Sequence, residues 1–251
     1  MLHATDVTDL LQSKPPQQIR KAKSSSREHK RLSRTLADFQ DLYVASELCR
    51  TIVRQLRAIS RSRAAPITTI VSLGLGSLSV VKCESRRMKQ LVILLSVRDI
   101  LHRICGSPIE VYAQDPSFTR LDESFLLSLD IKILHTSSAD SLGEAASTLS
   151  PATLVYSPFL TLEVYEQLLN TSKMQVPLIF GDDFTALLKK WPKRSPEQKQ
   201  VEALMKTGLA SYKRSVVGNK GFWDDEDGSF PMAIYDVTER QDKAKQLRAK
   251  I

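Results

Sequence analysis

Apolar residues recur with a helical period in the first part of the chain. From Leu36 to Ile59 they follow steps of three and four, which predicts one amphipathic helix over residues 35–63. Pro66 ends this pattern. Basic residues accompany the stripe and complement the helix dipole in its last turns; they are Arg50, Arg54, Arg57, Arg61 and Arg63. We expect the helix to pack on the sheet that follows, with partner binding as the alternative.

Beyond Pro66, short apolar runs alternate with helical segments. The runs predict strands at 67–74, 109–114, 131–135, 152–157 and 176–181. Helices are predicted between and after them, at 86–105, 115–130, 138–148, 160–170 and 184–191. Strands separated by helices need crossover connections, which make a parallel sheet covered on both faces. The fold class predicted for about residues 64–192 is therefore a Rossmann-like, doubly wound, mainly parallel α/β domain.

The pattern is less regular in residues 193–251, which we interpret as a helical and irregular extension. A helix is predicted at 195–213, with Ser195 as its N-cap. The segment 218–237 mixes turn residues, acids and aromatic residues, and two interpretations stay open for it. It is either a loop over the ligand edge of the sheet, anchored by Trp223 and Phe230, or a peripheral tail.

The N-terminal region is distinguished by its positive charge. The net charge of the 251-residue chain is +8, and a basic arm at 14–34 contains almost no apolar residues. We expect residues 1–34 to be disordered, because they bury too little surface to offset the entropy of ordering. The arm is either a solvated tail, which we favour, or a nuclear-localisation or polyanion-contacting segment. It lacks aromatic residues that stack on bases, so nucleic-acid binding is not expected, and the arm is its only candidate.

Composition also narrows the location and the chemistry. The three cysteines are widely spaced, which is typical of a reducing compartment. No apolar run approaches the ~20 residues of a membrane span, and the start lacks the layout of a secretory signal. We therefore predict a cytoplasmic or nuclear protein that does not enter a membrane. The four histidines have no metal-ligand spacing, so no metal is expected.

Candidate ligand-binding residues follow the predicted strands. The stretch "SLGLGS" ends the first strand, and its glycines would let a phosphate or an adenosine approach the backbone. An acidic residue after the second strand is where a ribose hydroxyl is commonly held. S-adenosylmethionine or another adenine nucleotide is the cofactor class that this layout suggests. The candidate binding residues are Gly74, Gly76, Ser77, Asp115, Ser157, Asp182 and Asp183.

Each candidate also has a purely structural interpretation. The third glycine of a dinucleotide fingerprint is replaced by Ser79, and Asp115 lies beyond the usual offset of about 20 residues. The glycines at 74 and 76 would then form only a tight turn. Of Asp182 and Asp183, we expect one to cap the helix that begins near Phe184, although in a turn both could reach Mg²⁺ or a ribose.

Several strings, taken in order and spacing, resemble the SRR-like domain, named for the plant sensitivity-to-red-light-reduced protein. The resemblance covers about residues 67–185, and the uncommon Asp-Pro-x-Phe-Thr at the end of a strand is its most telling part. The long linkers and the basic arm look like those of a divergent fungal-type member. The strings are "GLGS" at 74–77, "QLVILL" at 90–95, "VYAQDPSFTRLD" at 111–122, "LLSLDIKIL" at 126–134, "ATLVYSPFLTLEVYEQLL" at 152–169 and "VPLIFGDDF" at 176–184.

The resemblance implies a regulatory function and no established reaction. This chain also departs from the family pattern: Ser157-Pro158-Phe159 replaces a Pro-His-Cys sequence, and residues 181–184 replace Gly-Asn-Ser-Phe. Chemistry that depends on that His, Cys or Asn is therefore in doubt here. We expect a non-catalytic protein that binds a protein partner or a small ligand at the carboxyl edge of the sheet. The alternative is an S-adenosylmethionine-dependent methyltransferase or another nucleotide-cofactor enzyme.

Overall fold

A seven-stranded sheet in the order β3-β2-β1-β4-β5-β7-β6 forms the centre of the molecule. The computed structural model describes residues 16–80, 83–171, 175–218, 220–224 and 231–237, with side chains from residue 26. The strands are β1 (Thr69–Leu73), β2 (Glu110–Gln114), β3 (Ile131–Leu134), β4 (Thr153–Ser157), β5 (Leu178–Asp182), β6 (Tyr212–Val217) and β7 (Met232–Val237).

Helices cover both faces of this sheet. Those on one face are α1 (Pro16–Ala45), α2 (Glu47–Ser62), α3 (Glu84–Cys105) and α4 (Arg120–Leu127). Those on the other face are α5 (Ala145–Thr148), α6 (Leu162–Glu166) with a π-helical turn at Gln167–Thr171, α7 (Phe184–Lys190) and α8 (Pro196–Lys206). Within the described segments, no helix is long and apolar enough to cross a membrane.

The first five strands run parallel, as the sequence predicts. β1 pairs with β2 on one side and with β4 on the other, and β4 and β5 are buried along their whole length. Crossover helices place apolar side chains on both faces of such strands, so their sequences are apolar runs without strict alternation. The mainly parallel, Rossmann-like α/β fold is confirmed.

The N-terminal region differs from the single helix expected at 35–63. It forms two helices that meet at Ser46, whose hydroxyl donates to the carbonyl of Tyr43 at 2.6 Å and accepts the N–H of Cys49 at 3.1 Å. Ser46 therefore caps α2, which a continuous apolar stripe conceals. The expected boundary at residue 34 falls inside α1, and Leu32 is fully buried, so this part of the basic arm is helical. Residues 1–15 lie outside the described residues.

The C-terminal region also differs from the expected irregular extension. The predicted helix at 195–213 ends at Lys206, and β6 begins at Tyr212. β7 pairs antiparallel with both β5 and β6. Five of the six residues of β7 are buried, because this strand lies between two others and under helices. Residues 232–237 are thus neither a loop over the ligand edge nor a peripheral tail, and Phe230 lies outside the described residues.

Candidate functional site

A cleft of about 240 Å³ opens at the carboxyl edge of the sheet. It lies where β1 and β4 are neighbours and their following chains leave in opposite directions, which is the topological switch point of a doubly wound sheet. The residues that line it come from the ends of four parallel strands and the loops after them. They are Leu73, Gly74, Gln114, Asp115, Pro116, Ser117, Thr136, Ser138, Ala139, Ser141, Phe159, Leu160, Thr161 and Val164.

Gly74 forms the part of the cleft that follows β1. Its φ is +75°, a left-handed conformation that favours glycine. Its N–H donates to the carbonyl of Gln114 at 3.3 Å, which links the ends of β1 and β2. A Cβ at this position would lie 3.5 Å from the Leu160 side chain, an ordinary van der Waals contact, so the backbone conformation and not a lack of space favours glycine here.

Asp115 supplies the carboxylate of the cleft and also organises its rim. One oxygen accepts the backbone N–H of Gly76 at 2.8 Å, and the other accepts both the N–H and the hydroxyl of Ser117, at 2.8 Å and 2.5 Å. A carboxylate has about four acceptor positions, so one is left for a ligand hydroxyl. The Gly76 contact explains why a glycine turn and a distant acid occur together in this sequence.

Gln114, which the sequence analysis missed, holds the opposite wall. Its side-chain amide donates to the carbonyl of Leu142 at 2.9 Å and accepts the N–H of Ala145 at 2.9 Å. Both bonds are buried and fix the loop between β3 and α5, whose residue Thr136 lines the cleft. A polar residue at the end of an otherwise buried strand is the signal that could have identified Gln114.

The wall after β4 is held from beneath by Asp182. Both of its oxygens lie 3.1 Å from the backbone N–H of Phe159, which adopts a left-handed φ of +64°. Burial raises the pKa of the Asp182 carboxyl to about 6, although the N–H of Phe159 and the hydroxyl of Tyr165 favour the charged form. On the outer side, the guanidinium of Arg86 lies 4.6 Å from the centre of the Phe159 ring. Asp182 thus positions a wall of the cleft without lining it.

The turn after Gly74 is fixed by a second acid that the sequence analysis missed. The hydroxyl of Ser77 donates to Asp122 at 2.7 Å, and the N–H groups of Leu78 and Ser79 donate to the same carboxylate. Asp122 also completes a capping box with Thr119 at the start of α4. The pattern Thr-x-x-Asp is visible in the sequence, but its contact with the glycine turn is not.

Two further candidates have structural partners. Ser157 is fully buried, with its hydroxyl 3.3 Å from that of Tyr165. Asp183 accepts the N–H of Thr185 as the N-cap of α7, which confirms the helix cap expected at this pair. It also forms a bidentate ion pair with Arg214, at 2.8 Å and 2.6 Å. Among the described residues, no group of three or more His, Cys, Asp or Glu side chains could hold a metal ion.

The structure therefore brings only part of the predicted set into the cleft. Gly74 and Asp115 line the cleft. Gly76 does not line it, but its backbone N–H donates to the Asp115 carboxylate. A Cβ on Gly76 would lie 2.6 Å from the Nε of Arg87, so this glycine makes room for that side chain. The other four, Ser77, Ser157, Asp182 and Asp183, lie outside the lining and support neighbouring loops.

The cleft lining contains mainly apolar and hydroxyl side chains. It combines apolar side chains after β4 with serine and threonine hydroxyls after β2 and β3. Of the lining residues, Asp115 is the one with an ionisable side chain, and three of its acceptor positions are occupied. General acid–base catalysis would need a group free to exchange a proton with the substrate.

Comparison with known proteins identifies a family and several solved structures of similar fold. A family model described as the SRR1 domain matches residues 30–243, a wider range than the strings at 67–185. The curated proteins give no match.

Three solved structures illustrate the similarity of fold. A cofactor-bound protein from MTB is 11% identical, with a TM-score of 0.42, and covers 83% of this chain and 90% of its own. Fibrillarin from Aeropyrum pernix, with natively bound S-adenosyl-L-methionine, is 14% identical, with a TM-score of 0.42 and coverage of 74% and 76%. An O-methyltransferase from Bacillus cereus in complex with SAH is 12% identical, with a TM-score of 0.40 and coverage of 76% and 91%. At these identities the likeness concerns the fold alone.

Proposed function

This chain belongs to the SRR1 domain family, and from that premise we propose that it is a regulatory protein that binds a small ligand without transforming it. The ligand site is the cleft at the carboxyl edge of the sheet. The observation that carries the proposal is the lining itself, in which the single ionisable side chain, Asp115, is already engaged with Gly76 and Ser117. Binding needs only its remaining acceptor position, whereas general acid–base catalysis needs a group free to exchange a proton.

The ligand class that best suits this lining is a nucleoside or a related adenosyl compound. The wall formed by Phe159, Leu160 and Val164 offers apolar contact for a flat ring. Asp115 offers an acceptor for a hydroxyl on the other side. The volume of about 240 Å³ is somewhat below the range of about 300–1,000 Å³ that is typical of ligand pockets, so it suits a small ligand. We further propose that a protein partner recognises the ligand-bound state. The proposed location is cytoplasmic or nuclear, and the proposed origin of the chain is fungal.

An S-adenosylmethionine-dependent methyltransferase or another nucleotide-cofactor enzyme is the second candidate. The left-handed Gly74 after β1 and the acid after β2 face the same cleft at the switch point, which favours this class of ligand. Both candidates share the ligand chemistry and differ in whether a group is transferred.

Thermal unfolding of the full chain with a ligand panel tests the proposal. The panel contains S-adenosylmethionine, its demethylated product, NAD(H), NADP(H), adenine nucleotides and haem. A ligand at 100 times its dissociation constant adds about 2.7 kcal/mol to the free energy of unfolding. Incubation with S-adenosylmethionine, followed by assay for the demethylated product, separates binding from methyl transfer. Turnover would replace the regulatory proposal by the enzymatic one.

Two matched variants locate the binding. Ala139 lines the cleft and is exposed, whereas Ala146 on α5 is exposed and outside the lining. A139F should abolish the ligand-induced shift because the ring fills the cleft, and A146F should keep it. A shift that survives A139F, or no shift with any member of the panel, would contradict the proposed site.

A further inference from the structure

Four arginines form a single row along the exposed side of α2. They lie at i, i+4, i+7 and i+11, and at 3.6 residues per turn this spacing keeps them within about 60° of the helix circumference. The row extends over about 16 Å at 1.5 Å per residue. We call this set the arginine stripe; its members, all exposed, are Arg50, Arg54, Arg57 and Arg61. The buried face of the same helix contains Leu48, Ile52, Leu56 and Ile59.

The charges of the arginine stripe are not neutralised within the described part of the chain. Arg54, Arg57 and Arg61 form no ion pair there, and the side chain of Arg50 donates to the carbonyl of Ala45 at 3.1 Å. Glu47, in the first turn, is the sole acidic residue of α2.

Some basic side chains elsewhere in the described structure are paired with acids. Arg31 contacts two glutamates, Arg63 pairs with Asp236 at 3.0 Å, and Arg214 pairs with Asp183. The arginine stripe differs from these pairs in that four arginines share one exposed helix face. The helix dipole accounts for little of it, because only Arg61 lies in the last turn of α2.

The surroundings of the stripe favour a polyanion over an ordinary protein partner. Protein interfaces need an apolar core, and the described exposed large apolar residues lie on other elements: Leu42, Val44, Val80, Leu127 and Val216. Of these, Val216 flanks α2, where its carbonyl accepts the side chain of Gln55 at 2.7 Å. The stripe carries no aromatic residue of the kind that stacks on single-stranded bases. What remains is a row of exposed arginines along one helix face.

Guanidinium groups match the phosphates of a duplex. Each presents a planar fork of donors that can bind a phosphate through two hydrogen bonds. The phosphates of one strand are spaced by about 3.4 Å along the duplex axis, so a row of about 16 Å spans about five of them. The net charge of +8 and the isoelectric point near 9.4 also favour the binding of a polyanion.

We propose that the arginine stripe of α2 binds the phosphate backbone of double-stranded nucleic acid without reading its sequence. This surface is distinct from the cleft, and it is not the arm at 14–34 that the sequence alone offered as the only candidate. Because α2 is packed on α1 and α3 through its other face, the backbone positions of the four arginines are fixed along one line before binding. Contacts with backbone phosphates position a protein on a duplex without specifying bases.

Fluorescence anisotropy with the full chain tests the proposal. The probes are labelled 25-base-pair DNA and RNA duplexes of unrelated sequences, titrated at several salt concentrations. The triple variant R54Q/R57Q/R61Q should bind at least tenfold more weakly. Its slope of log K against log salt should be shallower by about 2–3, because each lost phosphate contact removes about 0.9. The DNA and RNA arms show which duplex is preferred.

A control variant separates the arginine stripe from net charge. K193Q/K199Q/K206Q removes three exposed positive charges near α8, on the other face of the sheet. It should retain wild-type affinity, and circular dichroism should show both variants folded. Equal losses in the two variants would overturn the proposal, as would undiminished binding by the stripe variant or no binding by the wild type at low salt. Preference for single strands, or full competition by polyglutamate at equal charge, would overturn it too.

Discussion

The buried carboxylate of Asp122 accepts the hydroxyl of Ser77 at 2.7 Å, across 45 residues of chain. The same carboxylate accepts the N–H groups of Leu78 and Ser79 and both donors of Thr119. One side chain thus fastens the glycine turn after β1 to the start of α4. The turn owes its shape to this acid as well as to its glycines.

Loss of the Asp122 carboxylate should be costly. We expect D122A to lower the free energy of unfolding by about 3–5 kcal/mol, because it leaves several buried donors without an acceptor. Urea denaturation monitored by circular dichroism measures the change. E123A is the matched control, since the neighbouring Glu123 on the same helix is less buried. A loss below 1 kcal/mol in D122A would show that water replaces the carboxylate.

Asp182 should make stability depend on pH. Its pKa is raised from 3.8 to about 6 by burial, so the folded state takes up a proton more readily than the unfolded state. The resulting stabilisation is fully present below pH 3.8 and is lost as the pH rises through 6. The shift corresponds to about 3 kcal/mol at 1.36 kcal/mol per unit.

Comparison with D182N isolates this contribution. Between pH 4 and pH 7, wild type should lose about 2 kcal/mol relative to D182N, because the amide does not titrate and the unfolded carboxyl is already partly ionised at pH 4. Urea midpoints at several pH values give the difference. D140N, which removes an exposed carboxyl group, is the control variant. Parallel curves for D182N and wild type would mean that Asp182 keeps an ordinary pKa.

Gly181 is required by close packing. A Cβ at this position in β5 would lie 2.5 Å from the Tyr165 hydroxyl, 2.7 Å from the Ser157 hydroxyl and 3.0 Å from the Ser157 carbonyl. We expect G181A to lower the free energy of unfolding by about 2–3 kcal/mol through overpacking. G218A is the control, because a Cβ there meets nothing within 4 Å. Equal melting temperatures for the two variants would contradict this account.

Arg194 holds a conformation that suits glycine better. Its φ is +70° and its side chain is exposed just before the N-cap of α8. R194G should raise the free energy of unfolding by about 0.5–1 kcal/mol, since relief of left-handed strain exceeds the entropy cost of glycine. R194A keeps the strain and should leave stability unchanged, which thermal melts of the three proteins can resolve.

Local sequence predicts the parallel half of this protein well, and the reason is physical. The runs ending at Leu73, Gln114 and Ser157 are apolar because both faces of a parallel strand are covered, and that requirement appears in adjacent residues. Helix caps are equally local: Asp183 and Ser195 bond to backbone within three residues. Such features can be predicted without knowing which distant residues pack against them.

The incorrect predictions of secondary structure concern segments whose conformation depends on residues that are far away in the sequence. Ser46 divides one apolar stripe into two helices because both pack on α3, and β7 becomes a strand because β5 leaves it an open edge. Distant residues also explain why five of the seven candidate binding residues lie outside the lining of the cleft; their role in binding stays a prediction. Their polar groups found partners elsewhere in the chain, such as Asp122 for Ser77 and Arg214 for Asp183.

The sequence by itself determined the order of the first five strands, the helices between them and the parallel sheet that these strands form, because periodicity and capping act between near neighbours. Tertiary structure alone decided which polar side chains line the cleft and which form the hydrogen bonds and ion pairs that hold its walls. It also decided that the arginines of α2 stand exposed in one row while Arg63 and Arg214 are paired with acids. The cause is that a side chain's partner is chosen by proximity in space, and folding brings together residues that the sequence keeps far apart.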